Sequence, residues 1–325
     1  MKIAASRCFA VVACSLASAF ACAQVRDFPN RPVRIVVPSA PGAILDLVAR
    51  VIGPVMGEVM GQSVVVDNRP GAGTNIGMEV VARAPADGYT LLVASNGLTV
   101  NPGLYPKLPF DVQKDFAPVS LVLSGAPYLL VVHPSLPVQS VKDLVALAKA
   151  KPKALTHSSG GYGTNIYIMG VLFKHLTGTD MLHVPYKSGG QALGGVVGGE
   201  AGMTFFAVAA VMPLVNAGKL RALAITSSKR SAPLPKLPTL AEAGVPGYEF
   251  TSWVGILAPG TTPPNIVAAL NGYIRKAVPA SGMTERFASE GADVGASSPE
   301  QFTAHIRTEL ARWSKVIKDL GLRAE

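Results

Sequence analysis

The chain has 325 residues, a formal net charge of +9 and only 15% charged side chains, against roughly 25% in an average soluble protein. Its basic residues are scattered, and no basic stripe interleaved with aromatics is present, which excludes a nucleic-acid-binding face. All 3 cysteines fall in the first 22 residues, so the rest of the chain has no disulfide, thiolate nucleophile or cysteine metal site.

Residues 1–23 read as a secretory signal peptide. Lys2 and Arg7 give a positive start, an apolar stretch follows over 8–20, and Ala21-Cys22-Ala23 fits cleavage before Gln24. The apolar run is shorter than the roughly 20 residues that span a bilayer. Lipid anchoring is the weaker reading: Cys22 follows Ala19-Phe20-Ala21, and apolar sequence continues beyond Cys14. Cleavage leaves about 302 residues with net charge +7, ample for two packed lobes. The expected location is the periplasm.

Short apolar strands then alternate with helices, the pattern of a parallel-sheet α/β protein. A strand over 34–38 passes through Pro41-Gly42 into a helix over 44–60. A strand over 64–67 passes through Gly71-Ala72-Gly73 into a helix near 76–83, and a strand covers 90–94. Runs at 119–123 and 128–132, separated by Ser124 to Pro127, are placed to carry the chain into a second lobe. The alternation restarts with helix 141–149, strand 154–157, helix 164–176, strand 181–184, helix 190–197, strand 203–207, another helix and strand 221–226. The proline-rich 231–238 is a return path to a strand over 253–257 and helices over 264–278 and 299–320. The expected division is 24–124 with 246–325 in one lobe and 125–245 in the other, with a ligand cleft between them. No internal repeat stands out. The apolar stretch 192–215 is not read as a membrane span, because Glu200 and five glycines interrupt it.

No catalytic constellation is visible. The histidines, at 133, 157, 175, 183 and 305, show no zinc-helix spacing, and there is no Gly-x-Ser-x-Gly elbow or phosphate loop. Gly71-Ala72-Gly73-Thr74-Asn75-Ile76 fails the dinucleotide fingerprint, since Ile76 stands where its third glycine belongs. It reads instead as a flexible connection with Thr74 or Asn75 capping the helix. No cofactor or metal is expected.

Two strand-to-helix turns carry more. One contains Pro41, Gly42 and Ala43 with Asp46 soon after; the other runs Ser158-Ser159-Gly160-Gly161-Tyr162-Gly163-Thr164-Asn165. A helix start leaves about four N–H groups unpaired and carries partial positive charge. Glycine admits a ligand close to that backbone, and hydroxyls add adjustable donors. Two such turns, one per lobe, could grip an anion without an arginine. Asp46 either accepts a bond from the ligand or only stabilises its helix. Lys187, after Tyr186, either supplies charge for a carboxylate or is simply solvated. Ser95 and Asn96 form a third polar strand end, while Phe205, Phe206 and Trp253 read as core.

Several ordered blocks then resemble the Bug, or TctC-like, family of substrate-binding proteins of tripartite tricarboxylate transporters. They include Arg34-Ile35-Val36-Val37-Pro38 with Ala40-Pro41-Gly42 and Asp46, Asp67-Asn68-Arg69-Pro70-Gly71-Ala72-Gly73 and Ala84-Pro85-Ala86-Asp87-Gly88-Tyr89. Further on come His183-Val184-Pro185-Tyr186-Lys187, Pro238-Thr239-Leu240-Ala241-Glu242-Ala243-Gly244 and Ala258-Pro259-Gly260-Thr261-Thr262-Pro263. The resemblance implies an α/β, two-lobed periplasmic binding protein, type II-like, that closes on a small carboxylate held by backbone groups and ordered waters. It further implies a monomer that hands its ligand to membrane permease subunits, or presents its closed form to a signalling partner. Ala43 replaces the family's usual glycine and Tyr167 a frequent histidine. Ser188 and Gln191 replace a usual glycine and proline, and Gly194 and Gly202 stand at acidic positions. An exported hydrolase is the rival from a different class.

Overall fold

The computed structural model describes residues 28–288, 291–319 and 321–323. The expected signal peptide and all three cysteines lie outside the described residues. The first lobe opens with β1 (Val33–Val37), α1 (Ile44–Met60), β2 (Val64–Asn68), a 3-10 turn (Ala72–Thr74), α2 (Asn75–Ala82), β3 (Thr90–Ala94) and α3 (Gly97–Leu104). β4 (Phe116–Ala126) then crosses, through Pro127 alone, into β5 (Tyr128–Val132) of a second sheet. That lobe continues with α4 (Val141–Ala150), β6 (Thr156–Ser159), α5 (Asn165–Thr177), β7 (Leu182–Pro185), α6 (Gly189–Val197), β8 (Met203–Ala207), α7 (Val208–Asn216) and β9 (Arg221–Ile225). The chain returns as β10 (Ser252–Pro259), α8 (Pro264–Ala280), α9 (Met283–Ala288), β11 (Asp293–Val294) and α10 (Pro299–Asp319).

The two sheets share one plan. The first has order β11-β4-β10-β3-β1-β2 and the second β7-β6-β8-β5-β9. In each, the first strand of a parallel trio lies between its two successors, and a strand arriving from the other lobe pairs antiparallel beside the third. The expectation of parallel sheets is therefore corrected to mixed ones. β5 and β10 each enter directly from the opposite sheet, with no crossover helix to reverse them, so they run against the trio. A parallel trio centred on its first strand opens a crevice at the strands' carboxyl ends. The turns after β1 and β6 occupy equivalent places in the two lobes.

Periodicity explains the main elements. α1 buries Leu45, Val48, Ala49, Ile52, Met56 and Met60 along one stripe, the spacing of an amphipathic helix. It ends on left-handed Gly61, whose N–H and that of Gln62 turn back to Glu58 and Gly57. α3 was not expected, because Gly97, Pro102 and Gly103 are poor helix formers; burial of Leu98, Val100 and Leu104 holds it instead. The strand expected over 154–157 lies two residues later, at Thr156–Ser159, so Ser158 and Ser159 belong to the sheet rather than to the turn. The apolar stretch 192–215 comprises the end of α6, then β8 and α7, and no described helix is long and apolar enough to cross a membrane.

α1 and α8 cover one face of the first sheet around Ile35, Leu91 and Ile256; α2 and the first half of α10 cover the other around Met78, Trp253 and Phe302. A larger cluster lines one face of the second sheet. It takes in Val100 and Leu104 of α3 and Trp313 and Ile317 of α10, beside Tyr128, Tyr248 and Phe250. The last turns of α10 thus pack, together with α3, against the second sheet. Trp313, 1% exposed, also donates Nε1–H to Glu309 Oε2 at 3.0 Å. Trp313→Ala is expected to cost about 3–5 kcal/mol of folding stability, read by chemical denaturation; a loss below about 1 kcal/mol would show that α10 is not anchored there.

Candidate functional site

The turn after β1 is shaped by a buried carboxylate. Asp46, 2% exposed, accepts from the Gly42 N–H at 2.9 Å, from Arg50 Nε at 2.9 and 3.0 Å, and from Asn68 Nδ2 at 2.9 Å. Asn68 Nδ2 also reaches the Ser39 carbonyl at 3.1 Å, and its Oδ1 accepts from Arg50 at 3.0 Å. Burial alone would raise the Asp46 carboxyl; the bonds from Arg50, Gly42 and Asn68 outweigh it and hold the pKa below the usual carboxylate value. Of the two readings for Asp46, the geometry favours the stabilising one, since its oxygens are already occupied. Gly42 turns at φ 84°, and its N–H is committed to Asp46. α1 has no side-chain cap: Ala43 is the N-cap residue, and within the described residues the amides of Ile44, Leu45 and Asp46 have no partner. Pro41 and Gly42 are exposed and Ala43 is half-buried, so these amides open beside accessible backbone.

The turn after β6 is built differently. Ser158 is fully buried, with its hydroxyl on the Ala192 carbonyl at 2.9 Å. Ser159 Oγ accepts from the Gly161 N–H at 3.0 Å and lies 2.7 Å from His183 Nε2. The two serines therefore shape the loop from within the lobe and present no hydroxyl to the cleft. Gly160 and Gly161 are half-buried; Gly161 (φ 102°) accepts from the Thr164 hydroxyl at 2.8 Å. Thr164 caps α5 by accepting from the Tyr167 N–H at 3.4 Å, and within the described residues the amides of Asn165 and Ile166 have no partner. Sequence reasoning missed the rings behind this loop. Tyr162, Tyr167 and His183 pack with centroids 4.8–5.2 Å apart, and His157 lies beneath, its Nε2 3.1 Å from the Ile166 carbonyl. These residues are too far apart in the chain for any spacing rule to group them.

Besides the core that α3 and α10 share with the second sheet, the lobes meet at two further places among the described residues. Near the crossings, Asn165 Nδ2 donates to Ser252 Oγ at 3.1 Å and to Asn96 Oδ1 at 3.4 Å. Asn96 also accepts from the Trp253 N–H and donates to the Thr251 carbonyl, while Ser95 is buried beside it. Two predicted residues from opposite lobes, Asn96 and Asn165, are thus brought together. Farther out, the turn 71–74 faces Tyr162 and Gly163. Among the described residues, no hydrogen bond or ion pair ties Pro41–Asp46 to the second lobe. Tyr186 and Lys187 line an open depression of about 560 Å³ with Pro185, Gln191, Gly194, Gly195 and Glu200; Tyr186 donates to Glu200, and Lys187 is exposed. Among the described residues, no cluster of three or more His, Cys, Asp or Glu could hold a metal ion.

The profile described as "Tripartite tricarboxylate transporter family receptor" matches residues 48–322. Protein BugT of Bordetella pertussis is 36% identical over 322 residues, 98% of each chain. Two solved structures share the fold closely. Rpa4515 of R. palustris with adipate is 39% identical, with TM-score 0.85, and covers 91% of this chain and 100% of its own. MatC (Rpa3494) of Rhodopseudomonas palustris with bound malate is 32% identical, with TM-score 0.83, and covers 89% and 100%. The two-lobed binding-protein fold expected from the sequence is borne out.

Asp46→Ala would leave the Gly42 and Asn68 donors unpaired, and a loss of about 2 kcal/mol is expected, checked by denaturation; unchanged stability would show that Asp46 does not hold this turn. Burial, joined by repulsion from His183 and Lys174, depresses His157 to about 3, and burial with repulsion from Lys174 depresses His183 to about 4. An unfolded histidine titrates near 6.5, so between about pH 6.5 and 4 the unfolded chain binds protons that the folded one does not. Stability is therefore expected to fall as pH drops through that window, and His157→Gln should flatten the slope by up to about one proton. An unaltered slope would contradict the assignment.

Proposed function

The chain belongs to the tripartite tricarboxylate transporter family of receptors, and on that premise we propose that it captures a small organic acid between its lobes, outside the cytoplasmic membrane, for delivery to a membrane permease. The observation that carries this is the pair of helix starts at equivalent strand ends. α1 and α5 each present unpaired amides from a glycine-containing turn, the arrangement that suits a carboxylate. Arg50 is already engaged with Asp46 and Asn68, so main-chain N–H groups do the gripping. The adipate and malate held by two similar structures support a dicarboxylate. The apolar leader of residues 1–23 supports export to the periplasm.

The hydrolase alternative gains one observation, the Ser159–His183 pair at 2.7 Å. Ser159 is 0% exposed, so a substrate carbonyl has no path to its hydroxyl. That pair shapes the loop and makes no bond to substrate. The sensing role would use the same cleft with a different partner.

Calorimetric titration with adipate, malate and neutral sugars tests the reading, with saturable binding expected for at least one acid and none for the sugars. A neutral sugar binding while every acid fails would overturn it. Ile44→Pro sharpens the test. Proline is well tolerated at the first helical position, and Ala43 already has the extended backbone (φ −73°, ψ 161°) that a following proline requires. The variant deletes one amide donor and should weaken acid binding about 10- to 100-fold, the range for a charge-assisted hydrogen bond, with little change in melting temperature.

A further inference from the structure

The turn 71–74 is the motif that the ligand site leaves unused, and it is the strangest stretch of backbone in the molecule. Four consecutive residues have positive φ: Gly71 at 132°, Ala72 at 46°, Gly73 at 60° and Thr74 at 83°. Such values are costly for alanine and more so for a β-branched residue. The turn is also braced: Thr74 N–H bonds to the Gly71 carbonyl at 3.0 Å, and Asn101 Nδ2 donates to the Gly73 carbonyl and to Asn75 Oδ1, both at 2.7 Å. These bonds hold its shape, and, contrary to the cap expected from the sequence, neither Thr74 nor Asn75 caps α2 with its side chain.

This turn of the first lobe abuts the loop of the second. A β-carbon on Gly73 would overlap the Tyr162 carbonyl oxygen and sit 2.7 Å from the Tyr105 hydroxyl. From the other side, a β-carbon on Gly163 would sit 2.6 Å from Asn101 Oδ1; within the first lobe, one on Gly97 would sit 2.9 Å from Thr74 Oγ1. Distances under 3.0 Å are not found for real β-carbons. At Gly73 the chain thus meets second-lobe backbone directly, and on the Gly163 side it meets the Asn101 side chain, which its bonds to Gly73 and Asn75 hold in place. Asn101 Oδ1, on a residue 0% exposed, and Thr74 Oγ1 are buried beside this contact with no hydrogen-bond partner among the described residues, a cost the surrounding packing must offset.

We propose that the Gly73–Gly163 seam is the mechanical stop that fixes how far the lobes close, and so sets the length of acid the cleft takes. The inference rests on the carboxylate reading above for its ligand class, though not for the seam itself. Gly73 lies outside both gripping turns and Gly163 stands two residues before Asn165 in the second; both act as determinants of cleft dimensions.

The test uses Gly73→Ala and Gly163→Ala, with Gly61→Ala as control: Gly61 has φ 69° and nothing within 4 Å of an added β-carbon, so it reports backbone strain alone. Spin labels at E58C and K219C, both exposed and on different lobes in a chain whose native cysteines all precede residue 23, read the lobe-to-lobe distance. Binding is titrated with succinate, malate, glutarate, adipate, pimelate and suberate. The expected result is a longer minimum distance in both seam variants, at least a tenfold loss for the acid that wild type prefers, and a smaller loss or a gain for longer acids; Gly61→Ala matches wild type throughout. Identical distance distributions in wild type and both seam variants, with and without acids, would overturn the seam whatever binds. Lengthened distances with an equal loss for every acid would overturn the length selection. If wild type binds none of the acids while the seam variants still lengthen the distance, the carboxylate reading fails and the stop stands.

Discussion

Two chain crossings lie side by side between the sheets, and any motion of one lobe against the other must pivot on them. Tyr128, just past the first crossing, exchanges bonds with Thr226: its N–H reaches the Thr226 hydroxyl at 2.8 Å, and its carbonyl accepts the Thr226 N–H at 2.9 Å. Phe250, just before the second crossing, bonds back to the Thr226 carbonyl at 2.9 Å. Ser252 then pairs with Ala126 at the start of β10. Tethered in this way, the lobes can rotate but slide little. The same two crossings force β5 and β10 to run antiparallel and leave each parallel trio centred on its first strand, so the position of the cleft and the path of closure have one origin.

Polar side chains at the strand ends divide their work in a consistent manner. Asp46, Asn68 and Arg50 shape the first turn; Ser159, Thr164 and His183 shape the second. What these bonds leave unoccupied at the two turns is main chain. A buried carboxylate is suited to the shaping role because it accepts several donors at once, and neutral His183 because it forms its bond to Ser159 without bringing charge next to the loop.

Much of the fold was readable because burial imposes periodicity. α1 shows its stripe of apolar residues, and β5, Ile35–Val37 of β1 and Leu91–Ala94 of β3 are continuous apolar runs. Tertiary packing overrode local signals elsewhere. α3 forms despite Gly97, Pro102 and Gly103; β6 is displaced toward two serines whose hydroxyls find partners inside the lobe. The shared plan of the two sheets left no trace as a sequence repeat, because topology requires only apolar strands in the right order, not similar residues. At the site, the turns themselves were readable from glycine and hydroxyl content. Which atoms stay free was not, since that depends on partners such as Asn68 and His183 that lie 22 and 24 residues away from Asp46 and Ser159.

The cluster shared by α3, α10 and the second sheet has a further consequence. Val100 and Leu104 of α3 and Trp313 and Ile317 of α10 close one core with Tyr128, Leu130 and Phe205 of the second sheet, so neither half can lose its order without exposing apolar surface belonging to the other. Heating should therefore produce one cooperative melting event rather than a sequence of two, and damage to either half is felt at once throughout the molecule.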